Sequence, residues 1–86
     1  MSIDETIFQV IREILEQKQG TPRDVTHDKS LSGDLSFESL DIAQLVATLE
    51  MKLGVDPFAT HVTIAAVRTV GDLCAAYRSC IAGQGS

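Results

Sequence analysis

The chain has 86 residues, 44% hydrophobic and 22% charged, with 12 acidic against 7 basic residues for a formal net charge of -5. A chain of this length holds one small domain with one core and excludes a two-domain enzyme with a deep cleft. The acidic balance and the lack of any Lys/Arg cluster argue against a phosphate-backbone partner, so no nucleic acid is expected.

The first predicted element is a helix from Ile3 to Lys18, because Ile3, Ile7, Val10, Ile11, Ile14 and Leu15 recur at three-to-four spacing. Ser2 followed by Glu5 reads as a capping box, and Gly20 with Pro22 ends the run. From Gly20 to Glu38 no period persists, and an unstructured connection that long needs anchors or a function. Val25, Leu31 and Leu35 are the expected anchors, holding an ordered loop that delivers Ser39 to the surface.

The second helix is predicted from Ser39 to Leu53, with Leu40, Ile42, Leu45, Val46, Leu49 and Leu53 forming its apolar stripe and Gly54 its stop. Asp41, Gln44, Thr48 and Lys52 fall on the other side. Ser39 at the head of this run suits a helix cap. Asp56-Pro57 announces a short third helix from Pro57 to His61. The stretch "HVTIAAVRTV" carries β-branched residues that suit a short strand, without a visible partner strand. Thr69 followed by Asp72 opens a last helix to Ile81, with Val70, Leu73, Cys74, Tyr77 and Ile81 inward. The sum is an all-α, small four-helix bundle: three main helices, a short third helix and a long loop between the first two. Residues 1–82 form the expected domain and 83–86 a flexible tail.

The chemistry visible in the residues is sparse. Ser39 lacks a G-x-S-x-G setting, and no nucleophile–base pair or phosphate-binding glycine loop is present, so no catalytic residue is expected. Cys74 and Cys80 lie on different faces of one helix, which argues for free thiols in a reducing compartment. Neither forms a metal-ligand spacing with His27 or His61, which stand alone, and no metal is expected. The acidic N-terminus "MSIDETIF" is unlike a signal peptide, and no apolar run is long enough to span a membrane, so a soluble, cytoplasmic protein is expected. Four of the five net negative charges lie between Asp34 and Asp56, which favours a basic partner there.

The segment "ESLDIAQLVATLEMKLGV", with Ser39, Leu40, Asp41, Leu45, Val46, Leu49, Glu50, Leu53 and Gly54, resembles the acyl carrier proteins and their peptidyl relatives. Their signature is Asp-Ser-Leu opening a second helix after a long loop, and "TVGDLCAAY" is similar to the start of their fourth helix. The resemblance implies that Ser39 takes 4′-phosphopantetheine from coenzyme A through a phosphopantetheinyl transferase. The arm then holds acyl groups as thioesters and moves them between acyl-loading and acyl-transferring enzymes of ketosynthase, acyltransferase or ligase type. It further implies a docking face at Glu38, Leu40, Asp41, Val46 and Glu50. Glu38 replaces the common aspartate, Ser36 stands where glycine is frequent, and Gln44, Met51 and Lys52 make the face less acidic than in fatty-acid carriers. That favours a discrete carrier, monomeric on its own, of a secondary-metabolite (polyketide-like) or specialised fatty-acid pathway. A peptidyl or aminoacyl carrier, or an unmodified helical interaction module, are the alternatives.

Overall fold

The computed structural model describes residues 2–20, 24–60 and 66–84. Among the described residues four helices follow in order: α1 Ile3–Gln19, α2 Ser39–Leu53, α3 Pro57–Thr60 and α4 Val70–Gln84. Helix α1 packs against both α2 and α4, and α3 rests on α4. The expected all-α architecture, three long helices and a short third, is the one found.

Each helix starts and stops for a local reason. Ser2 Oγ accepts the Glu5 N–H at 3.1 Å to open α1. Gly54 closes α2 at φ 75, a left-handed conformation that glycine adopts without Cβ strain, and its N–H donates to the Glu50 carbonyl at 2.8 Å. Asp56 Oδ1 accepts the Phe58 N–H at 3.0 Å and starts α3. Both halves of the box at Thr69 and Asp72 form: Asp72 N–H donates to Thr69 Oγ1, and Thr69 N–H to Asp72 Oδ2, each at 3.1 Å. Helix α4 continues through Gln84, past the expected end at Ile81, so Gly83 and Gln84 are helical where a tail is expected.

The core joins Ile7, Ile11 and Leu15 of α1 to Leu45 and Leu49 of α2 and Val70, Leu73 and Tyr77 of α4. Burial of one such aliphatic side chain contributes about 1.5–3 kcal/mol. The long loop adds its own plugs: Val25, Leu31 and Leu35 are buried as expected, and so is Phe37.

The loop is also pinned through its backbone. Ser30 forms an isolated antiparallel bridge with Thr69. Around it Leu31 N–H donates to the Arg68 carbonyl, Val70 N–H to that of Lys29 (both 2.9 Å) and Gly71 N–H to that of His27 (2.8 Å). The β-branched run therefore does find a partner at its end; residues 61–65 lie outside the described residues, as does the expected end of the third helix at His61.

One expectation about α2 changes. Leu40 is 79% exposed and Met51 87% exposed, so Leu40 is no part of the buried stripe. The outward face is Leu40, Ala43, Gln44, Ala47, Glu50 and Met51, while Asp41 and Thr48 are half-buried at its margin. Burial of Leu45 and Leu49 sets this rotation, because the residues opposite them along a 3.6-residue turn must face water.

Candidate functional site at the head of helix α2

Ser39 is the first residue of α2 and is exposed. It is not the cap: that position belongs to Glu38, whose backbone is extended (φ -96, ψ 175). The box that closes this turn runs between Glu38 and Asp41, with Asp41 Oδ2 accepting the Glu38 N–H at 2.9 Å. The serine hydroxyl is thereby left out of the cap. It projects from a first turn whose leading amides lack intrahelical acceptors.

Asp41 Oδ2 also accepts from Lys18 Nζ at 2.8 Å, across the gap from the end of α1. The Glu38 amide first, and Lys18 second, hold the Asp41 carboxyl below the usual carboxylate range. In return the hydrogen bond to Asp41, reinforced by the charges of Asp41 and Glu38 against a smaller opposing effect of desolvation, raises the Lys18 ammonium. A residue expected to greet partners is thus engaged within the fold, with its side chain only 17% exposed.

Of the expected docking residues, Glu38, Leu40 and Asp41 surround Ser39. Val46 is half-buried two turns on, and Glu50 is exposed a turn farther, about 16 Å from Ser39 along the axis at 1.5 Å per residue. Sequence reasoning missed Lys18: it is 23 residues from Asp41, with no periodicity or spacing to join them.

The approach to the serine is fixed by the loop. Ser30 and Asp34 cap one another, Ser30 N–H to Asp34 Oδ2 and Asp34 N–H to Ser30 Oγ, both at 2.8 Å. Phe37 N–H then donates to the Leu31 carbonyl at 2.8 Å. Between them Ser36 takes φ 56, the left-handed region, which explains why glycine is the easier residue there.

These features suit an attached phosphate. An exposed hydroxyl stands at a helix N-terminus, where the dipole and free amides favour negative charge, with a lysine ammonium close by to offset Glu38 and Asp41. Among the described residues no base is hydrogen-bonded to Ser39.

A second constellation lies on the far side of the fold. His27 Nε2 is 2.8 Å from Asp4 Oδ2, and these two and Cys74 Sγ all lie within 4.8 Å of one another. His27 therefore does not stand alone, contrary to the sequence expectation. Burial, followed by the charge of Asp4, pushes the Cys74 thiol up to about 12. Both cysteines are free, as expected; Cys74 is buried in line with its inner-face position, and Cys80, placed on another face by its spacing, is buried as well. No helix is long and apolar enough to cross a membrane among the described residues.

A family profile described as "Phosphopantetheine attachment site" matches residues 5–77. Among solved structures the chain is similar to MacpD, an acyl carrier protein from Pseudomonas fluorescens involved in mupirocin biosynthesis. The two share 39% identity with a TM-score of 0.76, over 87% of this chain and 67% of that one. It is also similar to a protein of Mycobacterium tuberculosis described as an acyl carrier protein, at 27% identity and TM-score 0.70, over 91% of this chain and 97% of that one. No curated protein matches it. With its all-α fold and most of its length matched, the chain belongs to the phosphopantetheine-attachment-site family, non-catalytic carriers bearing a 4′-phosphopantetheine prosthetic group.

Proposed function

We propose that Ser39 is the attachment point and that the chain is a discrete acyl carrier of a secondary-metabolite, polyketide-like pathway. The observation that carries this reading is the exposed Ser39 hydroxyl at the first position of α2, just inside a cap formed by Glu38 and Asp41. In the loading step the Ser39 oxygen attacks the pyrophosphate of coenzyme A at the phosphorus bearing the pantetheine. A new phosphodiester forms, the bond to the adenosine bisphosphate breaks, and the hydroxyl proton passes to a base of the transferase. The chain's part is to present the oxygen, while Lys18 and the amides of the first turn offset the added charge. The arm supplies a terminal thiol that holds acyl groups as thioesters. Tethering then raises the local cargo concentration at each docked enzyme.

Docking follows α2 from Glu38 and Leu40 past Val46 to Glu50, with Asp41 fixing the turn from beneath. The 39% identity to an acyl carrier protein involved in mupirocin biosynthesis supports the pathway class. The weakly charged outward face of α2 supports dedicated partners of ketosynthase, acyltransferase or ligase type, met in the cytoplasm.

Incubation with coenzyme A and a promiscuous phosphopantetheinyl transferase, followed by intact-protein mass spectrometry, tests the attachment. One added phosphopantetheinyl group on the wild type and none on Ser39→Ala is expected. A wild type left unmodified by several such transferases, or a modified Ser39→Ala, overturns it.

A further inference from the structure

We propose that Asp4, His27 and Cys74 form a binding site for a divalent cation of the zinc class, on the side of the fold away from Ser39. The three side chains come from three different elements: the first turn of α1, the loop and the first turns of α4. Carboxylate, imidazole and thiolate are together the donor set that zinc takes, and three protein ligands plus water complete its tetrahedron.

The geometry is close to what the ion requires. All three donor atoms lie within 4.8 Å of one another. Zinc ligands sit about 3.5 Å apart, given Zn–S near 2.3 Å and Zn–N near 2.0 Å. The donors need to draw together by about 1 Å, within reach of side-chain rotation. His27 and Asp4, already 2.8 Å apart, separate slightly as the ion enters between them. Cys74 loses its proton to solvent on binding, and His27 coordinates through Nε2, the nitrogen that faces Asp4.

The ligands are held from outside the cluster as well. The His27 carbonyl accepts the Gly71 N–H at 2.8 Å, and the His27 ring meets Phe8 edge-on at 4.9 Å between centroids. Gly71 permits this approach, since a Cβ there would stand 3.0 Å from the His27 oxygen. Asp4 Oδ1 is buried with an ion-pair contact to Arg78 Nε at 3.4 Å in place of a hydrogen bond, so an incoming cation competes with Arg78 for this oxygen. The 53% exposed His27 side chain leaves the outer side open for entry and for a water ligand. An ion here would bind α1, the loop and α4 together, and the proposal stands independently of the carrier reading.

The test uses the full-length chain carrying Ser39→Ala, so that no arm thiol can contribute a ligand. Titration with Co2+ is expected to saturate at one ion per chain, with a thiolate-to-cobalt charge-transfer band that Zn2+ abolishes on displacement. Cys74→Ser should lose the band and Cys80→Ser should retain it. Cys74 is buried, so His27→Gln at the exposed ring gives a second reading: a folded protein whose Co2+ affinity falls at least tenfold. The proposal is overturned if the parent chain shows no charge-transfer band, if the band survives Cys74→Ser or vanishes in Cys80→Ser, or if His27→Gln binds with unchanged affinity.

Discussion

Removing the Asp41 side chain separates two roles that the same carboxylate could have. Its Oδ2 accepts the Glu38 amide at 2.9 Å and Lys18 Nζ at 2.8 Å. The ion pair is partly open to water on its Lys18 side, which weakens it, so the amide contact dominates. Loss of a capping acceptor costs about 1 kcal/mol. At a urea slope of about 2 kcal/mol/M, this lowers the unfolding midpoint of Asp41→Ala by about 0.5 M. Asp41→Asn keeps an oxygen for the Glu38 amide while removing the charge, and should shift the midpoint by less than half as much. Far-UV circular dichroism in urea reads both. Transfer kinetics with a phosphopantetheinyl transferase should follow the same order, wild type and Asp41→Asn above Asp41→Ala, because the turn that presents Ser39 frays only in the alanine variant. The pH dependence has a definite sign. The folded carboxyl titrates below its ordinary value of 3.8, so its contribution is present above that value and lost as pH falls through the folded pKa. The gap between wild type and Asp41→Ala should therefore close in acid. An unshifted midpoint in Asp41→Ala refutes the anchoring argument. A full loss of transfer in Asp41→Asn at an unshifted midpoint makes the charge a partner contact instead.

Two further substitutions test the frame. Ser36 holds φ 56, where an L-residue costs about 1–2 kcal/mol. Ser36→Gly relieves this but adds unfolded-chain entropy worth about 0.4–1 kcal/mol in the opposite sense, for a net gain of up to about 1.6 kcal/mol. A thermal melt should rise by several degrees, and a fall would contradict the assigned backbone. The Tyr77 hydroxyl is buried without a hydrogen-bond partner among the described residues, and burial first, then Asp56 and Glu50, push its pKa upward. Tyr77→Phe removes a polar group whose desolvation costs about 1–3 kcal/mol. Urea unfolding should show equal or greater stability, and a loss above about 1 kcal/mol would reveal a bonded hydroxyl.

Local signals carried the helices well. The bounds of α2 follow from Leu45, Leu49 and Gly54, and the boxes at Ser2 and at Thr69 with Asp72 are legible because every partner lies within four residues. Ser39 was legible as a special position by its resemblance, while its place just inside the cap was not. That depends on whether Glu38 or Ser39 takes the extended backbone, a choice made by the Asp41 contact. The outward turn of Leu40 depends on how α2 rotates against α1, which an apolar pattern with both Leu40 and Ile42 leaves open. Lys18 with Asp41, Ser30 with Thr69, and the trio Asp4, His27 and Cys74 are pairings across more than twenty residues. No periodic rule reaches that far.

The bridge between Ser30 and Thr69 also orders events in time. Phe37, two residues before Ser39, hangs on Leu31, and Leu31 hangs on Arg68. During synthesis the serine leaves the ribosome long before the residues that steady its approach, so a nascent chain ending within α3 has both long helices of the docking side but no partner for the loop. The loop before Ser39 therefore gains its backbone partners only after the opening of α4 has emerged.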